Sequence, residues 1–420
     1  MMRHLFASTF IAWLCLIPND AATSGQKLKS IRLEIANPSD LARAAENIVI
    51  KVENLKRIAP DFKPLGVIVS ADVLGRSVEL PSQVDDMDGD GKLDELAFQI
   101  DLQTRQTRHV TIAYGEIAEV LPLRRSYPAR THAKFTAKYE GMGWESEVTA
   151  WRLYFDRRNA IDLFGKRSPC LALELFGAPE YDYHKESPVG RDIYKNGDAL
   201  GIGSVGALVD GKVVKVGDVA ERKWRIISTG PVRAVVELRY NGWKVAAKSV
   251  DLVSRITQWA GEGGFEHSVI ARNADGLTLV AGLPRKDVEL IERQFGKEPE
   301  MQALATWGPQ VLAPGASAAS SLPDQNLGLA IITVAALPKV IDADNLLLPL
   351  KLASGAANWY VTAAWDQELS EKRRIPACQT AEGSSTPIKS QQAFLAYLQA
   401  LAERRSQPAR VTLPASESKR

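Results

Sequence analysis

Between Arg130 and Gly203 the sequence gathers the residue types that bind and transform polar ligands. His132 stands in Arg130-Thr-His-Ala-Lys134, and His184 follows Tyr181-Asp-Tyr183 and precedes Lys185. Both imidazoles lie among cations and aromatics, where a general base or acid is tuned, although for each one alone a structural role is the plainer reading. Between them run Gly143-Trp144-Glu145 and Trp151-Arg152-Leu-Tyr154-Phe-Asp156-Arg-Arg158-Asn159-Ala-Ile-Asp162. If Ala150 to Asp156 is extended, Arg152, Tyr154 and Asp156 project from one face and Trp151, Leu153 and Phe155 from the other. Such a face suits a sugar-binding groove, because aromatic rings stack on pyranoses while Arg and Asp hydrogen-bond hydroxyls and carboxylates. The alternative is an Arg/Asp network that pins a loop.

A second constellation is Asp85-Asp86-Met-Asp88-Gly-Asp90-Gly91-Lys-Leu-Asp94-Glu95. Alternating carboxylates at Asp86, Asp88 and Asp90, a turn at Gly91, and closure by Asp94 or Glu95 offer the oxygen ligands a Ca²⁺ ion takes. Position 12 counted from Asp86 is Ala97 and the flanks read as strands, so this is not an EF-hand. The ion would be structural, and an ion-free hairpin turn is the alternative. No HExxH, GxSxG or Walker motif is present, and Gly201-Ile-Gly203-Ser-Val-Gly206 lacks a βαβ context, so no organic cofactor is expected.

These residues must be positioned by mainly β text. The 420 residues carry 52 Lys+Arg against 50 Asp+Glu, a net +2 that gives no bulk field for nucleic acid. Residues 1–22 read as a signal peptide, with Arg3 and His4 before an apolar run too short to span a bilayer. A secreted or periplasmic protein without membrane insertion is expected. Residues 28–120 form a small antiparallel β domain, with strands at Ile48–Val52, Leu65–Val69, Leu96–Ile100 and His109–Ala113. After a Pro-punctuated linker at Pro122–Pro128, residues 127–413 show strands about every ten residues, the mark of a large β-sandwich. Leu171–Phe176 is among the expected strands. Pro284–Phe295 has helical periodicity, as does Gln391–Arg405, where Phe394, Leu398 and Leu401 share a face ahead of Pro408. Outside the leader, Cys170 and Cys378 remain; an oxidising compartment permits their bridge, and a buried free thiol at Cys170 is the alternative.

Tyr127-Pro-Ala-Arg-Thr-His132-Ala, Gly143-Trp-Glu-Ser146, Trp151 to Lys166, Tyr183-His184, Leu200-Gly-Ile-Gly-Ser204, Gly230-Pro-Val-Arg233 and Ala364-Trp-Asp-Gln-Glu368 resemble a secreted bacterial family, domain of unknown function 4861. The similarity runs from about Asn47 to Leu413 and takes in Pro81 to Gly91. One departure is a His-rich stretch that longer relatives carry between His132 and Trp144 and this chain lacks. The resemblance implies a galactose-mutarotase-like large domain, a setting among polysaccharide-degradation genes, and eliminating chemistry of lyase or dehydratase type on uronate- or sulfate-bearing oligosaccharides.

Elimination needs a base for a carbon-bound proton, a cation for the developing charge, and an acid for the departing oxygen. His132 or His184 would be the base, Arg152 and Arg158 would pair with a uronate or sulfate, and Tyr183 would donate to the leaving oxygen. Trp144, Glu145, Tyr154, Asp156, Asn159 and Asp162 would bind or orient. Three rivals stand beside it: hydrolysis by Glu145 with Asp156 or Asp162, binding without catalysis, and epimerase or mutarotase chemistry. Oligomeric state is not legible.

Overall fold

In the computed structural model the described residues are 28–415, apart from 296–299, 310–324, 335–338, 372, 374, 377 and 381–385. The expected leader, residues 1–22, lies outside them. In Lys29–Ala36 every second side chain (Ile31, Leu33, Ile35) is buried, the period that makes one face of a strand a core face. This strand pairs antiparallel with Thr107–Tyr114, which continues to Val67–Val73 and Arg76–Leu80. A second sheet, Arg43–Lys51, Glu95–Leu102 and Ser82–Asp85, closes over it, with Ile48, Ile50, Phe98 and Ile100 in the shared core. Arg410–Thr412 pairs with Lys29–Ala36, so residues that the sequence pattern grouped with the large domain complete the N-terminal sheet.

The large unit is a sandwich. One layer is an eight-stranded antiparallel sheet in the order Glu221–Ser228, Arg233–Val245, Lys248–Trp259, Gly264–Arg272, Ala356–Trp365, Leu327–Val334, Met301–Gly308, Glu289–Phe295. The other layer comprises two five-stranded sheets. The first runs Gly190–Asp192, Ile161–Lys166, Thr149–Tyr154, Gly141–Ser146, Thr131–Thr136. The second is built around Val205–Val209, Thr278–Pro284 and Asn345–Pro349. Between the layers lie Trp144, Trp151, Phe265, Trp359 and Trp365 with many aliphatics. The architecture is therefore the anticipated one: mainly β, a small antiparallel N-terminal unit, a large sandwich and a C-terminal helix.

That helix, Gln391–Ser406, is capped by Ser390, whose side chain accepts from the Ala393 amide, and has Arg404 and Arg405 in its last turn. Phe394, Leu398 and Leu401 pack on the outer face of the eight-stranded sheet beside Trp307 and Ile332. Two expectations are corrected. Within Pro284–Phe295 the structure forms an edge strand, Glu289–Phe295, paired with Met301–Gly308; only Ile291 of its residues is buried, so the apparent helical spacing does not describe a packed helix face. Leu173–Phe176 is a helical turn rather than a strand, because Glu145 accepts from the Ala172 and Leu173 amides and winds the chain there.

Candidate functional site

The face of strand Thr149–Tyr154 that turns away from the sandwich core carries Arg152, as the alternation predicts, while Trp151 and Leu153 enter the core. Arg152 Nη2 donates to Asp162 and to Asp192, each at 2.7 Å, and Nη1 donates to the Tyr183 hydroxyl at 3.2 Å. The Tyr154 hydroxyl donates to Asp162 at 3.0 Å. Burial pushes the Asp192 carboxyl up to about 7, against the pull of Arg152 and with Asp162 adding to the rise. Burial likewise raises the Tyr154 and Tyr183 phenols. Above this interior the network reaches solvent at two points. The His184 ring lies 4.3 Å from the Tyr183 ring, with Nδ1 3.3 Å from Asp182. The Arg158 guanidinium lies 4.0 Å over the Tyr154 ring and is paired with Asp156 and Glu140.

The structure thus brings together His184, Tyr183, Arg152, Tyr154, Asp162, Arg158 and Asp156. Asp192 belongs to the same network and was missed; a carboxylate in the short Gly190–Asp192 strand is informative only once that strand pairs with Ile161–Lys166. The remaining residues lie elsewhere. His132 Nε2 is 3.0 Å from Glu174, which also holds Lys134. Trp144 is fully buried, its ring edge-on to Phe265, and offers a sugar no platform. Glu145 is fully buried in an ion pair with Lys166 and in the two amide bonds above, which use its oxygens for structure. Asn159 is buried at the hairpin between strands Thr149–Tyr154 and Ile161–Lys166, with φ +43°, a left-handed conformation that Asn tolerates.

In the acidic loop, carboxylate oxygens of Asp86, Asp88 and Asp94 lie within 4.8 Å of one another. Asp90 turns instead to Lys92, and Glu95 to Lys51 and Arg233. Arg233 also pairs with Asp85, and both Arg225 and Arg255 donate to the Met87 carbonyl, so this loop is docked on the eight-stranded sheet. Two cavities open along that outer sheet face. One, of about 420 Å³, lies under the C-terminal helix, with Glu262, Glu266, Asn358 and Arg405 in its lining. The other, of about 340 Å³, is bounded by Asp88, Lys223, Trp224, Arg225, Glu237 and Arg239. Sequence reading passed over these residues, although charges at Arg225, Glu237, Arg239 and Arg255 alternate with apolar positions in their strands.

Two solved structures share this architecture. A glycosyl hydrolase family 38 protein from Enterococcus faecalis superposes with a TM-score of 0.51 at 9% identity, over 94% of this chain and 49% of that one. An α-mannosidase from Enterococcus faecalis V583 gives 0.50 at 9% identity, over 95% of this chain and 47% of that one. The chain spans about half the length of each, and the likeness is one of fold. No curated protein matches the sequence. A family profile does match, over residues 35–411, a span that holds the N-terminal unit apart from most of its first strand, the sandwich and the C-terminal helix. The chain belongs to the family described as Domain of unknown function (DUF4861).

Proposed function

We propose that this protein acts on carbohydrate, and specifically that it performs β-elimination, as lyase or dehydratase, on oligosaccharides bearing uronate or sulfate. The fold shared with a family 38 glycosyl hydrolase and an α-mannosidase supports the substrate class. One observation carries the chemistry: the exposed His184 ring lies 4.3 Å from the Tyr183 ring, tilted to it, and the Tyr183 hydroxyl is held by Arg152. With Nδ1–H donated to Asp182, His184 Nε2 is left outward as an acceptor, the arrangement of an oriented general base. Arg152 is saturated by Asp162 and Asp192, so pairing with the substrate anion falls to Arg158, whose surface partners Asp156 and Glu140 are weakly held and displaceable. Hydrolysis through Glu145 is disfavoured by its buried pairing with Lys166. Export to the periplasm or beyond, and a structural Ca²⁺ in the acidic loop, belong to the same reading; the Cys170–Cys378 bridge fits an oxidising compartment.

The test is incubation with a panel of anionic oligosaccharides, read by mass and ultraviolet absorbance. An unsaturated product is expected, lost in His184→Ala and reduced in Arg158→Gln. Products heavier by one water, or full turnover in His184→Ala, would overturn the assignment.

A further inference from the structure

The cavity of about 420 Å³ under the C-terminal helix is walled by three elements, and its volume falls within the roughly 300–1,000 Å³ of small-molecule sites. Strand Arg43–Lys51 of the N-terminal unit contributes Asn47 and Val49, which alternate with the core residues Ile48 and Ile50 and so face outward. The eight-stranded sheet contributes Glu266, Asn358 and Val334 from its outer face; Glu266 is the register partner of Tyr360, which packs beside the helix. The helix's last turn contributes Arg404 and Arg405. The charges that frame this space cancel. Glu262 accepts from Asn47 Nδ2 at 2.7 Å and from the Tyr360 hydroxyl at 2.6 Å, with Arg404 3.6 Å away. Glu46 is held by Arg43 at 2.8 Å and by Arg404 at 3.1 Å. Arg405 lies 4.9 Å over the Tyr360 ring and donates to one oxygen of Glu266 at 2.6 Å. Three carboxylates thus meet three guanidiniums, and the cluster holds no surplus charge for an ionic ligand.

What remains unmatched is hydrogen-bonding capacity. The second Glu266 oxygen and the Asn358 side-chain amide have no partner among the described residues. Both groups reach solvent: the Glu266 side chain is 42% exposed, and Asn358 is exposed. Arg405 uses only its Nη2 in pairing with Glu266. Val49 and Val334, 38% and 46% exposed, add apolar surface on two of the walls. A carboxylate oxygen, a planar amide and a guanidinium beside aliphatic patches, in a charge-balanced cleft, match the adjacent hydroxyls and the C–H face of an uncharged sugar.

We propose that this cavity binds an uncharged pyranose unit of a polysaccharide, with Glu266 and Asn358 taking adjacent hydroxyls and the two valines covering the C–H face of the ring. It lies on the outer face of the eight-stranded sheet, whereas Arg152 and His184 belong to the opposite layer of the sandwich, so it anchors the chain away from the reacting unit. The proposal rests on the carbohydrate reading above and adds a second, neutral site to it.

Calorimetric titration of the full chain with cellotetraose, mannotetraose, galactotetraose and xylotetraose tests it, beside the anionic panel used for elimination. At least one neutral tetrasaccharide should bind, with an affinity unmoved by salt because no ion pair forms. That affinity should fall about tenfold in Asn358→Ala and in Glu266→Gln, through the loss of one hydrogen bond in each. It should stay intact in His184→Ala. Asn358 and Glu266 both reach solvent, so thermal melts of their variants should match the unsubstituted chain closely enough to show that each folds. No binding of any neutral member, unchanged affinity in both variants, or binding lost in His184→Ala and kept in Asn358→Ala would overturn the proposal. An unsaturated product from the anionic panel without neutral binding would remove this site alone; absence of both would remove the carbohydrate reading with it.

Discussion

Arg152 and Asp192 meet at 2.7 Å in the interior, and Asp162 takes the same guanidinium nitrogen from the other side. All three side chains are almost wholly buried. Replacing the cation strands two carboxyls without a counter-charge, whereas replacing Asp192 by its amide keeps an acceptor for Arg152. Arg152→Met should therefore cost ~3–5 kcal/mol, and Asp192→Asn only about 1 kcal/mol. Urea unfolding midpoints decide; equal losses in the two variants would show that the network carries no special charge balance.

Much of this network was legible because a strand's period of two is local. Once Trp151 and Leu153 are read as core residues, Arg152 must face the other way. The long strands and the C-terminal helix were legible for the same reason. What could not be read depends on distant partners. Leu173–Phe176 winds because a carboxylate 28 residues upstream of Leu173 captures its amide. Trp144 and Glu145 are adjacent and point to opposite sides of their strand, one into the sandwich core and one to Lys166. Neither reaches the ligand role that an aromatic beside an acid suggests. The ion cluster of Arg225, Arg239 and Arg255 about Glu237 needs three strands in register before its charges converge.

Stability should fall as pH rises through neutrality, the decline ending once pH passes the Glu368 value of about 8. Burial pushes Glu368, which accepts from Thr149, up to about 8, and Asp192 up to about 7. Unfolded carboxyls titrate near ~4, so over the interval up to these values the folded chain holds protons the unfolded chain has lost, and stability declines with pH. Buried His267, pushed down to about 4, acts oppositely, but its contribution is complete once the unfolded imidazole has titrated near ~6.5. Thermal melts between about pH 6.5 and 8 should thus show a falling midpoint. Glu368→Gln should flatten the slope; an unaltered slope would mean Glu368 does not titrate there.

Cys170 and Cys378 are bridged across 208 residues. The bridge ties the segment that covers Arg152 to the chain ahead of the C-terminal helix, and the Cys170 carbonyl accepts from Lys166. For so long a loop the chain-entropy contribution is ~5 kcal/mol at most. Reductant should lower the melting temperature of the oxidised protein to that of the Cys170→Ser/Cys378→Ser variant and leave the variant's own unmoved. Free thiols at both Cys170 and Cys378 in the unreduced protein would refute the bridge.

The acidic loop gives the sharpest ion test, because the five carboxylates considered as ligands, Asp86, Asp88, Asp90, Asp94 and Glu95, are not equivalent. The Asp86 oxygens accept from the Gly89 and Gly91 amides at 2.6 and 2.9 Å, and Asp94 accepts from Met87 at 2.6 Å. These bonds preset the turn but leave lone pairs on each carboxylate, converging with those of Asp88. A bound Ca²⁺ would relieve the mutual repulsion of the three acids and stiffen the loop whose Met87 carbonyl Arg225 and Arg255 grip. At tenfold excess over Kd the gain would be about 1.4 kcal/mol, visible as a higher melting temperature with Ca²⁺ and a smaller one with Mg²⁺. Asp88→Asn should abolish the shift. Asp90→Asn should preserve it, since Asp90 is turned to Lys92. No shift at millimolar Ca²⁺, or equal loss in both variants, would leave the loop a hydrogen-bonded turn that docks the N-terminal unit on its own.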